Sequence, residues 1–201
     1  LKYRLGLFDN PYKNVYHDFE ANWLKPEFRL QSLRMAEESI VLLENKGILP
    51  LDERTQVALT GPYANTCKLV GPWGGKAKAE DSVKFFDGMT RISDNIKLVD
   101  WINHGEKAED AIDRILNQTE KSEVVIITIG EGQWESGEAH SKTNINLPTI
   151  EQRLVEALLE AKRKVVLVVF AGRPLILSDF AGRVEAIVYA WYLGSEMGNA
   201  L

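Results

Sequence analysis

Residues 123–129, Glu-Val-Val-Ile-Ile-Thr-Ile, form a nearly continuous apolar, β-branched run, and a strand of that composition needs cover on both of its faces. Shorter runs with the same character occur at Val57–Thr60, 96–99, Val165–Phe170 and 186–190. Between them lie stretches with helical spacing: 80–93, 105–121, and one opening after Pro148 that carries Ile150, Leu154, Leu158 and Ala161 on one stripe. Alternation on this length scale implies parallel strands, because each return to the same end of a sheet needs a crossover helix. The fold class expected is α/β: a three-layer α/β/α sandwich around a mostly parallel sheet. The sequence stops at Ala200-Leu201, after a glycine-containing turn that ordinarily leads into another helix, so a domain cut short at its C-terminus is expected.

Ahead of this alternation, Phe28, Leu33, Ala36, Ile40 and Leu43 recur at helical steps from Pro26, with Gly47 and Pro50 as a stop. One helix is expected there. Residues 1–25 mix aromatic and turn residues, as in Leu7-Phe8-Asp9-Asn10-Pro11-Tyr12, without sustained periodicity, and read as an arm or linker. The division expected is therefore an arm over 1–25 and an α/β domain over 26–201.

Several function classes drop out. The 24 Lys and Arg residues against 29 Asp and Glu give a net charge of -5 with no basic block, which excludes nucleic acid as the expected partner. The longest apolar runs, such as 165–171, fall far below the roughly 18 residues that span a bilayer, so no membrane is expected either. Cys67 stands alone, which rules out an intrachain disulfide and reads as a small buried or loop residue. His17, His104 and His140 have no ligand spacing, so no metal is expected. The run GPWGG matches neither phosphate-binding glycine pattern, and no cofactor is expected. With Leu1 as first residue the compartment is not legible, cytoplasm standing ahead of periplasm.

In open parallel sheets ligands gather at the carboxyl ends of the strands. Here those ends are Gly61-Pro62-Tyr63, Gly130-Glu131-Gly132, Ala171-Gly172-Arg173-Pro174 and Trp191-Tyr192-Leu193-Gly194. The longest strand is followed by three carboxyl groups, Glu131, Glu135 and Glu138, in one glycine-bearing loop. Arg173, before Pro174 at a strand end, reads as a structural ion-pair residue.

Six segments, in order, resemble the C-terminal α/β sandwich domain of glycoside hydrolase family 3, the family of bacterial β-glucosidases. LGLFDNPY resembles the linker leaving the family's TIM-like barrel, and AEESIVLLENKGILPL the first helix and turn of its sandwich. VALTGPYAN with GPWGG resembles the first strand and following loop, GEAHSKTNINLP the acid/base loop, and VVLVVFAGRPL and AIVYAWYLGSEMGNAL the closing elements. In the acid/base loop Lys142 stands where the family usually has Arg, and Asn144 where it usually has Asp.

The resemblance implies a domain of a retaining glycoside hydrolase that removes terminal β-D-glucosyl residues without a cofactor. Such chemistry uses two carboxyl groups about 5 to 5.5 Å apart, one attacking and one protonating the leaving oxygen. Glu138 matches the general acid/base position, with Glu131 as runner-up. Trp73, flanked by Gly71-Pro72 and Gly74-Gly75, matches an aromatic beside the leaving-group sugar, and Trp134 is a second candidate, since flat ring faces pack on pyranose C–H faces. The nucleophilic aspartate belongs to the family's barrel, which precedes this chain's segment, so the barrel is the expected partner, a β-glucoside or oligosaccharide the expected substrate, and the chain alone is expected to be inactive. A β-xylosidase of the same family, or a non-catalytic flavodoxin-like binding module, are the alternative readings.

Overall fold

The computed structural model describes residues 1–13, 15, 18, 23–74 and 78–201. His17 and Gly75 lie outside the described residues. Two compact units are distinguished, Leu1–Gln31 and Ser32–Leu201. In the first, residues 1–13 run through turns closed by bonds such as Leu5 N–H to the Leu1 carbonyl and Asn10 N–H to the Gly6 carbonyl, both 3.0 Å. Regular structure begins with helix α1 (Pro26–Ser39).

The helix expected to continue past residue 40 stops at Ser39, whose hydroxyl donates to the Ala36 carbonyl at 2.8 Å. Strand β1 (Val41–Asn45) follows instead. The spacing of Ile40 and Leu43 suits a helix, but the segment meets β6 (Ala186–Tyr189) and pairs antiparallel from Val41 opposite Tyr189 to Asn45 opposite Ala186, with Leu43 in a bulge between the paired Leu42 and Glu44. Ladder hydrogen bonds and the β-branched Ile40-Val41 pair override the periodicity.

A second correction concerns 80–93. The expected single helix is a 3₁₀ turn (Ala79–Asp81) and a six-residue helix α2 (Phe85–Thr90). Between them Val83 is held in extended form: its N–H donates to the Ser195 carbonyl at 2.8 Å, and its carbonyl accepts the Gly198 N–H at 2.9 Å. Those tertiary bonds take the backbone groups a longer helix would have used.

The remaining elements follow the expected alternation: β2 (Val57–Thr60), β3 (Ile96–Leu98), α3 (Ala108–Gln118), β4 (Val124–Gly130), α4 (Thr149–Glu160), β5 (Val165–Phe170), β6, a 3₁₀ turn (Gly194–Glu196) and α5 (Met197–Ala200). The six strands lie in the order β1-β6-β5-β4-β2-β3, and every neighbouring pair except β1 with β6 is parallel. This is the mostly parallel α/β sandwich read from the sequence.

Side chains divide by alternation along each strand. Val125, Ile127 and Ile129 of β4, with Val165, Leu167 and Val169 of β5, pack against Ile112 and Ile115 of α3 and Leu154, Val155 and Leu158 of α4. Ile126, Val166, Val168 and Phe170 face the other way, toward Ala36, Phe85 and Met197. Each such side chain, fully buried, contributes about 1.5–3 kcal/mol from apolar burial. Among the described residues no helix is long and apolar enough to cross a membrane. Because β2, β4, β5 and β6 run the same way, their carboxyl ends and the loops after them converge on one edge of this rigid core.

Candidate active-site loop at the strand ends

Strand β4 ends at Gly130, which has φ of 130°. A Cβ there would lie 1.9 Å from the Phe170 carbonyl oxygen, so only glycine lets the backbone press this closely on β5. The next residue, Glu131, donates its N–H to that same oxygen at 2.7 Å. From here the loop 131–142 departs.

Glu131 is fully buried, yet both carboxylate oxygens are paired. Lys142 Nζ donates to Oε1 at 2.7 Å, and Arg173 Nε to Oε2 at 3.1 Å. Two cations on one buried carboxylate offset the desolvation that would make an isolated buried charge prohibitive. Both cations also hold the loop itself. Lys142 Nζ reaches Glu135 Oε2 at 3.0 Å, and Arg173 Nη2 donates to the Glu135 and His140 carbonyls. A residue at the end of β5 thus ties down three points of a loop that leaves β4, and the expectation that Arg173 is an ion-pair residue is met.

The electrostatics follow from these contacts. Burial pushes the Glu135 carboxyl up, but the Gly132 N–H at 3.0 Å and the Lys142 ammonium together outweigh it and leave the group below the usual carboxylate range. Lys142 is raised, chiefly by Glu131 and then by Glu135, so its charge persists over the whole neutral range. Tyr192, after β6, adds a third tie: its hydroxyl lies 3.1 Å from the Glu131 carbonyl and 2.9 Å from that of Gly132, and burial raises it first of all.

Glu138 sits outside this clamp. It is exposed, at the tip of a turn between Gly137 (φ 105°) and Ala139 (φ 61°), closed by the His140 N–H to the Gly137 carbonyl at 3.2 Å. The loop that follows β2 meets this turn. A Cβ on Gly137 would stand 2.9 Å from Pro72 Cβ and 3.9 Å from Trp73 Cε2, so the Trp73 indole lies beside the residue that precedes Glu138. Trp73 is 72% exposed and Trp134 60%, which makes both accessible ring faces rather than core.

Sequence reading singled out this loop as the candidate and missed most of what shapes it. Lys142, Tyr192 and the buried Glu151 of α4, whose Oε2 accepts the Gly130 N–H at 2.7 Å, were not among the candidates. Among the described residues no group of three His, Cys, Asp or Glu side chains is arranged to hold a metal, and His140 is exposed. A polar depression of about 470 Å³ lies beside the loop, bordered by Glu135, Lys142, Asn144 and Asn146. An apolar groove of about 470 Å³ opens elsewhere, between Ile40, Leu49, Phe85, Met89, Val166 and Val168, and none of Trp73, Glu131, Trp134 or Glu138 borders it.

Comparison with known proteins adds the following. Residues 40–201 match the family described as the glycosyl hydrolase family 3 C-terminal domain. A periplasmic beta-glucosidase of Salmonella typhimurium is 30% identical over 230 residues, covering all of this chain and 30% of its own length. A beta-xylosidase of Formosa agariphila is 28% identical and likewise matches the whole chain with 29% of its own length. Among solved structures, a D270A mutant beta-glucosidase of Listeria innocua in complex with laminaribiose superposes with a TM-score of 0.89 at 29% identity, over 99% of this chain and 28% of that one. The chain thus spans under a third of the length of these relatives.

Proposed function

The chain belongs to glycosyl hydrolase family 3 as its C-terminal domain, and on that premise we propose that it serves a retaining hydrolase that removes terminal β-D-glucosyl residues. In this reading Glu138 is the general acid/base, Trp73 and Trp134 contact the leaving-group sugar, and the nucleophilic carboxylate comes from a barrel domain of the full-length protein. A β-xylosidase is the second reading, since the relatives include both kinds of enzyme.

The observation that carries the proposal is the contrast among the three carboxyl groups of one loop. Glu131 has no accessible surface and spends both oxygens on Lys142 and Arg173. Glu135 is held ionised by the Gly132 N–H and Lys142, the opposite of what a proton donor needs. Glu138 is exposed like Glu135 but takes no part in the clamp, at a turn closed by the His140 N–H and beside an exposed indole. A barrel carboxylate placed opposite it would complete the pair of carboxyl groups that retaining hydrolysis uses.

The division of labour has a direct test. The purified 201-residue chain should not hydrolyse aryl β-glucosides, because retaining hydrolysis needs both carboxyl groups. Turnover above that of a Glu138→Ala control would sink the two-domain reading. Full-length protein assayed on paired aryl β-glucosides and β-xylosides then separates the two specificities.

Trp73 gives a further expected result. In the full-length enzyme, Trp73→Ala should raise KM for disaccharides more than for aryl glucosides, since the lost contact lies outside the glucosyl site. Thermal unfolding should change little, because the side chain is 72% exposed. An equal loss for every substrate, matched by a large fall in Tm, would assign the ring to packing instead.

A further inference from the structure

Glu151 is only 4% exposed in the first turn of α4, a site where an acidic side chain is ordinarily turned to solvent and favoured by the helix dipole. Here it points into the sheet edge. Its Oε2 accepts the N–H of Gly130, the last residue of β4, at 2.7 Å. Gly130 is also where the chain presses against the Phe170 carbonyl before the loop departs. Without Glu151 this N–H would be a buried donor with no partner, and the strand end would have to move to satisfy it.

The neighbours are those of the candidate active site. Glu135 and Lys142 lie within electrostatic reach of Glu151 from the loop after β4. Burial raises the Glu151 carboxyl to about 8, more than the Gly130 N–H lowers it. At neutral pH the group is therefore chiefly the uncharged acid, whose carbonyl oxygen still accepts the Gly130 N–H. An amide reproduces that acceptor.

We propose that Glu151 is a positioning residue for Glu138: by holding the Gly130 N–H it fixes the point and direction in which the loop 131–142 leaves β4. It touches no substrate. The inference rests on the reading of Glu138 as acid/base, eight residues along that loop from Gly130. The clamp of Lys142 and Arg173 ties Glu131, Glu135 and His140 to one another, and Glu151 holds Gly130, the strand residue from which the loop departs, so loss of Glu151 shifts the whole assembly relative to the sheet.

The test uses the full-length enzyme with two substrates, a disaccharide with a poor leaving group and an aryl glucoside with a good one. Glu151→Ala should lower kcat on the disaccharide by roughly ten- to a hundredfold, the cost of a small misplacement of a catalytic group, with KM little changed and the aryl glucoside less affected. Glu151→Gln, which keeps the acceptor, should restore most of the disaccharide rate at pH 6 to 7. If Glu151→Ala does not fold, Glu151→Met fills the space without an acceptor and takes its place. Equal loss on both substrates, or a Gln variant no better than Ala, would overturn the positioning role. Glu138→Ala run in parallel separates the two ideas. A leaving-group-dependent Glu138→Ala beside a uniform Glu151→Ala sinks the positioning alone, whereas a silent Glu138→Ala sinks the acid/base reading and this inference with it.

Discussion

Glu138→Ala in the full-length enzyme should slow hydrolysis of substrates with poor leaving groups by roughly 10² to 10⁴-fold, the usual contribution of a positioned general acid. Activated aryl glucosides, whose leaving oxygen needs little protonation, should lose less in the glycosylation step. For them deglycosylation becomes limiting, because the same residue must then activate water. Azide needs no such activation, so added azide should restore turnover and give a β-glycosyl azide. Steady-state rates across a leaving-group series, with product analysis, read all three effects. If Glu138→Ala is nearly silent while another carboxyl of the loop shows this pattern, the acid/base assignment moves to that residue.

Glu131→Ala is expected to act through a different quantity. It removes the one anion that Lys142 and Arg173 share in the interior, and breaking such a pair by deleting one partner costs on the order of 3–5 kcal/mol. The two cations are 29% and 20% exposed and can recover some hydration, so the loss belongs near the lower end of that span, about 3 kcal/mol. Denaturant unfolding should register it, and because Glu138 itself is retained, azide should not restore activity. Arg173→Lys keeps the charge but cannot reproduce the fork that binds Glu131, Glu135 and His140 together, so an intermediate loss is expected. Azide rescue of a Glu131 variant would contradict this assignment and reinstate it as the acid/base.

The strands β4 and β5 were legible because they are covered on both faces, which leaves an almost unbroken apolar run in the sequence. Helices α3 and α4 were legible for the complementary reason, one apolar stripe against one core face. Residues 40–45 misled because the three-residue step from Ile40 to Leu43 matches a helix and a bulge at Leu43 interrupts the strand's alternation, and only β6, some 145 residues later, makes the segment extended. At the candidate site, the convergence of strand-end loops followed from parallel topology alone. The clamp did not. Arg173 lies 42 residues from Glu131 and meets it only because β4 and β5 are neighbours, and Lys142 meets it only because the loop folds back on its own first residue. Glu151 was invisible for another reason: an acid in the first turn of a helix looks ordinary, and nothing in its spacing tells that this one faces inward.

The pairing of β1 with β6 joins strands far apart in sequence, Val41 with Tyr189 and Asn45 with Ala186. Closing so long a loop costs chain entropy and offers nothing until the last strand exists. On a ribosome, β2 and β4 can associate as soon as β4 has emerged, whereas β1 must wait as an unpaired segment until β6 has been synthesised. Its exposed row of Val41, Leu42 and Leu43 is then an interval of vulnerability in biosynthesis, the stretch of nascent chain for which a holding chaperone would have most use.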